Sequence, residues 1–70
     1  MIPLIFTDAG ETNVIKKISG PPGIKKHLEN LGFITGGDII LISIFGGNVI
    51  VKVKGARIAI SQEMARKIMV

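Results

Sequence analysis

The sequence predicts a small, mainly β barrel. One short helix is inserted between its early strands, and a short helical turn precedes its last strand. Three observations predict this. Short runs of β-branched residues alternate with glycine turns, and the segments between them leave no room for βαβ crossovers. The chain has 70 residues and no cysteine, so one domain must hold itself together without disulfides. A domain of this size buries only roughly 60% of the surface its unfolded chain exposes. With hydrophobic residues at 47% of the chain, a closed or nearly closed sheet is an economical way to bury them.

The elements follow in order. Thr12–Ile18 reads as the first strand, bounded by Gly10-Glu11 and Ser19-Gly20. Gly20-Pro21-Pro22-Gly23 is a stiff corner that leads into a helix, because proline is tolerated where a helix N–H has no partner. Ile24, Leu28 and Leu31 stand at i, i+4 and i+7 and form one apolar stripe. Gly32 follows as a left-handed C-cap, and Phe33 turns back as the apolar contact that accompanies such a cap. This helix is too short to stand alone and must bury its stripe against the barrel.

Gly36-Gly37-Asp38 makes the next turn. Ile39–Ile44 is almost wholly apolar, which predicts a strand covered on both sides or for most of its length. Gly46-Gly47-Asn48 signals a hairpin. In Val49–Lys54 the valines alternate with Ile50, Lys52 and Lys54, giving an apolar face and a mostly charged one. Gly55 turns the chain into a third strand, Arg57–Ile60. Ser61 is a suitable N-cap for a helix of about two turns, with Glu63 and Arg66-Lys67 matching the helix dipole. Ile68–Val70 closes as a docked strand. Strands and turns of this kind, with one helical plug, make an SH3-like barrel of residues 1–70.

Catalytic and metal chemistry lack their parts. His27 is the only histidine, and a lone histidine flanking an apolar stripe makes no site. Ser19, Ser43 and Ser61 have no evident base and orienting acid. Asp8 and Glu11 fall in a loop and form no recognisable carboxylate pair. Gly20–Gly23 is no phosphate loop, because its prolines remove N–H donors. The reading is therefore a non-enzyme with no cofactor and no metal ligands. An apolar run of about 20 residues would be needed to span a membrane, and neither Met1–Phe6 nor Ile39–Phe45 approaches that. A cytoplasmic protein without membrane insertion is expected.

Proline-peptide binding needs an aromatic-lined groove. The chain has no Trp or Tyr, and Phe6, Phe33 and Phe45 are assigned to the core. Nine Lys/Arg against five Asp/Glu give a formal charge of +4. That mild excess suits an acidic partner, a nucleic acid or an anionic membrane face, but an ordinary solvated surface accounts for it better. Nucleic-acid binding through Lys16, Lys17, Lys25, Lys26, Lys52, Lys54 and Arg57 ranks below protein binding, because no aromatic is free for base stacking.

These residues resemble the FeoA family, small cytoplasmic partners of the bacterial and archaeal ferrous-iron transport system. The strongest part is His27-Leu28-Glu29-Asn30-Leu31-Gly32-Phe33 followed by Gly36. The second is Ile58-Ala59-Ile60, then Ala65, Ile68 and Val70. The chain departs from the pattern at Gly46–Val49, where many members carry a proline before the strand. The resemblance implies a non-enzymatic SH3-like module that binds the cytoplasmic part of FeoB, the membrane iron transporter with a GTP-binding domain, and modulates transport. Similar domains end iron-dependent repressors as regulatory modules. The structural signature on this chain is Leu28, Leu31, Gly32, Phe33, Gly36, Ala59, Ala65 and Val70. The expected partner surface is the polar face of the helix with its flanking turns: Lys25, Lys26, Glu29 and Asn30. Weak self-association through barrel edges is left open.

Overall fold

The segment Thr12–Ile18, expected as one strand, divides between two sheets. The computed structural model describes Met1–Val70 throughout. Its elements are a 3-10 turn at Leu4–Phe6, β1 (Thr12–Val14), β2 (Lys17–Ile18), α1 (Pro22–Asn30), β3 (Asp38–Phe45), β4 (Asn48–Val53), β5 (Ala56–Ser61), α2 (Gln62–Ala65) and β6 (Ile68–Met69). One antiparallel sheet has the order β1-β3-β4-β5, and the second pairs β2 with β6. Between them Ile15 exchanges backbone bonds with Gly36 and Gly37, and the Lys16 N–H donates to the Met69 carbonyl at 2.8 Å. The chain thus passes from one sheet to the other at a barrel corner. The result is an SH3-like barrel, with α1 between β2 and β3 as the sequence predicts.

The meander β3-β4-β5 is built on two-residue turns. Gly46 and Gly47 have φ of +55° and +81°, the left-handed pair that matches the natural twist of the flanking strands. Lys54 and Gly55 make the second turn at φ +51° and +78°, so a lysine occupies a left-handed position there. Val49, Val51 and Val53 are buried while Lys52 is exposed, as their alternation predicts.

β3 differs from expectation. Only Ile39 and Leu41 are buried, and the strand is exposed from Ser43 onward. A bulge between Leu41 and Ser43 inserts Ile42 as an unmatched residue. It shifts the alternation by one, so Phe45 shares the outer face with Asn48 instead of continuing the inward set. Phe45 is 80% exposed and Phe6 71%, which corrects their assignment to the core. Phe33 alone among the phenylalanines is buried.

Fourteen residues form the core, and all of them are hydrophobic. Every layer contributes, from Leu4 in the 3-10 turn to Val70. The last segment is docked as expected. Ile2 and Val70 exchange two backbone hydrogen bonds, at 2.9 and 2.8 Å, and Pro3 bridges Met69. The Ser61 hydroxyl accepts from the Met64 N–H at 3.1 Å, capping α2, which has one turn and not two.

Candidate partner-binding surface

α1 begins at its proline corner. Pro22 occupies the first turn, and the Pro21 carbonyl accepts from the N–H groups of Ile24 and Lys25, both at 3.1 Å. The helix ends in a double cap. The Gly32 N–H donates to the Glu29 carbonyl and the Phe33 N–H to the Leu28 carbonyl, each at 3.0 Å. Gly32 has φ +105°, a conformation that L side chains rarely adopt. Before the helix, the Ser19 N–H donates to the Lys67 carbonyl at 2.7 Å, tying the corner to the segment after α2. The N-terminal corner of this nine-residue helix is thereby bonded to the barrel, while its C-terminal end is closed by its own cap and anchored by the buried Phe33.

Its stripe is narrower than the sequence suggests. Leu28 is fully buried, and Ile24 packs partly buried against the core. Leu31 is 37% exposed, which corrects its place in the stripe. It sits at the C-cap, past the last helical residue, where the chain is already bending toward Phe33. Of the other signature residues, Ala65 and Val70 are buried, whereas Gly36 and Ala59 lie on the surface.

Lys25, Lys26, Glu29 and Asn30 are all exposed on α1, as is His27. The side-chain hydrogen bonds in the molecule belong to Thr7, Asn13 and Ser61, so none of these helix residues is engaged within the chain. No acidic residue occupies the first turn, and Lys25 and Lys26, fourth and fifth of the nine helical residues, stand in the middle of the helix, clear of either dipole end. Their placement does nothing for the helix itself. Exposed Leu31 and Ile34 continue the surface beyond its C-terminal end.

A second surface joins cations that the sequence marks to an aromatic ring that it does not. The registers place Ile40, Lys52 and Arg57 in one row on the outer face of the large sheet, and Ser43, Ile50 and Ala59 in the next. Phe45, Asn48 and Ser61 make a third row. The cations and a free aromatic ring therefore share one face. The β3 bulge brings Phe45 there, and alternation alone does not reveal a bulge.

No buried side chain is polar, and no cavity opens in the molecule. No group of three His, Cys, Asp or Glu residues converges to hold a metal ion.

Several known proteins are similar to this chain. A protein of Methanocaldococcus jannaschii with the provisional name Fe(2+) transport protein A is 39% identical over 70 residues, which is all of this chain and 85% of that protein. The crystal structure of an iron uptake regulatory protein, FeoA, superposes with a TM-score of 0.88 at 28% identity, covering 99% of this chain and 92% of that one. A FeoA from Stenotrophomonas maltophilia, crystallised with zinc and described as a procaryotic SH3 domain protein, gives a TM-score of 0.75. It is 20% identical, with 90% of this chain and 81% of that one covered, and so speaks for the fold. The family model for the FeoA domain matches residues 2–70, and the chain belongs to the FeoA family.

Proposed function

We propose that this chain is a cytoplasmic, non-enzymatic accessory module of ferrous iron transport, which binds the cytoplasmic part of the membrane transporter FeoB and modulates it. The observation that carries this reading is the family match over residues 2–70. An interior without polar side chains and a surface without a cavity support a docking role over a catalytic one. The docking surface in this reading is the polar face of α1, with Lys25 and Lys26 meeting acidic groups on the transporter domain and Glu29 and Asn30 meeting hydrogen-bond donors beside them. Lys25 and Lys26 are exposed and engage no group within the chain, which leaves both available to an external partner. Titration of the transporter's cytoplasmic domain tests it. Binding should weaken at least tenfold on the double reversal Lys25→Glu, Lys26→Glu. Unchanged affinity removes the helix face, and no affinity with the unaltered chain removes the partner.

A second reading has one specific observation in its favour. Phe45 is free and lies on the same outer face as Lys52 and Arg57. That is the combination of ring and cation by which proteins hold single-stranded nucleic acid. It predicts retention of a single strand at low salt, falling steeply as salt rises. No retention at low salt ends this reading.

A further inference from the structure

β5 pairs with β4 along one edge only, and its other edge is vacant. No backbone bond outside the β4 ladder involves Ala56, Arg57, Ile58, Ala59 or Ile60. The two-residue turn at Lys54-Gly55 fixes which groups point where. Val53 and Ala56 flank that turn as a bonded pair, so Ile58 and Ile60 also bond to β4. The N–H and C=O groups of Arg57 and Ala59 then point away from the sheet, with the N–H of Ser61. The Ser61 carbonyl belongs to the first turn of α2, as for any N-cap residue. An open edge of this kind is a template for another strand, and proteins commonly blunt it with proline, a bulge or several charges. β5 has no proline, no bulge and the single charge of Arg57.

We infer that this edge pairs with the β5 edge of a second copy, antiparallel, with Ala59 on the two-fold axis. The strand is self-complementary in that register. Ala59 opposite Ala59 of the second copy forms a bonded pair, and each Ser61 N–H reaches the facing Arg57 carbonyl, giving four backbone bonds in all. Residues of one face meet residues of the same face, as a sheet requires. Ile58 then lies opposite Ile60, and Arg57 opposite Ser61, so the two arginines are kept apart. Centring on Arg57 would instead set cation against cation, and centring on Ser61 would drive the two α2 turns together. Ala59 is exposed and small, which lets two copies approach at the axis. Such a pairing covers well under the roughly 1,200 Å² of a stable interface, so the dimer is weak, with a dissociation constant on the order of 0.1–1 mM.

Sedimentation and concentration-dependent amide NMR on the full chain test this. Between about 20 μM and 2 mM, a range chosen to bracket that dissociation constant, the unaltered chain should pass from monomer to dimer, with shifts concentrated at Arg57, Ala59 and Ser61. Ala59→Lys sets two cations face to face at the axis and should weaken the dimer at least tenfold. Mixing it with Ala59→Glu should restore a heterodimer. Ala59→Pro removes only an N–H that β4 does not use, and should also give a folded monomer. A chain monomeric across the whole range overturns the proposal, as does a dimer indifferent to Ala59→Lys. A monomer whose binding to the transporter domain is lost in Ala59→Pro would give the edge to a partner strand instead, and equally overturns it.

Discussion

The Phe33 N–H donates to the Leu28 carbonyl at 3.0 Å, and both side chains are completely buried. One backbone bond therefore closes the helix while its two apolar neighbours seal it to the core. Leu28→Ala should destabilise the protein by roughly 2–5 kcal/mol in denaturant unfolding, the range for emptying a core leucine site. Leu31→Ala, at the partly exposed C-cap, should cost clearly less than Leu28→Ala, because part of that side chain is already in water. Equal effects would mean that the helix packs by both leucines.

Gly32→Ala meets two obstacles. The backbone there has φ +105°, and an added Cβ would stand 3.2 Å from Val53 Cγ1. A loss of about 1–2 kcal/mol is expected from the conformation alone. Thermal unfolding of this variant beside Gly10→Ala, where φ is +85° and no atom lies within 4 Å, separates strain from crowding.

Lys54 holds a left-handed backbone at φ +51° in a turn that favours glycine or asparagine. Lys54→Gly should stabilise the protein, by up to roughly 1 kcal/mol, since it relieves a conformational cost of about that size. A loss of stability would show that the lysine side chain has a packing role which outweighs its strained backbone.

Lys52 and Arg57 stand directly opposite each other on the outer face. Like charges so placed repel, and Arg57→Glu should raise stability by roughly 0.2–1 kcal/mol at low salt. The gain should shrink as salt is added.

Much of the barrel was legible because its signals are local. The valines of β4, the glycines of the first hairpin, the Gly32–Phe33 cap and the Ser61 cap each express a rule that acts within a few residues. Three features were not. The division of Thr12–Ile18 depends on Gly37 and Met69, which are remote in sequence. The fate of Leu31 depends on where the helix stops, and a stripe read at i, i+4, i+7 carries no such boundary. The exposure of Phe45 depends on one bulge, and Ile39–Phe45 reads as a uniform apolar run whichever residue is left unmatched. For the binding surface, the sequence isolates the polar residues of α1. It does not reveal the outer sheet face, which exists only once three strands are in register.

The pairing of β2 with β6 joins residues some fifty positions apart, whereas the meander closes through turns of two residues. Closing so long a loop costs more chain entropy than forming either hairpin. The hairpins are therefore expected to form first in folding and the latch to close last. In native-state hydrogen exchange the amides of Lys16, Ser19 and Val70 should open at lower free energy than those of β4. Such a hierarchy would let the barrel loosen at its seam, baring Ile18 and Ile68, while the four-stranded sheet stays intact.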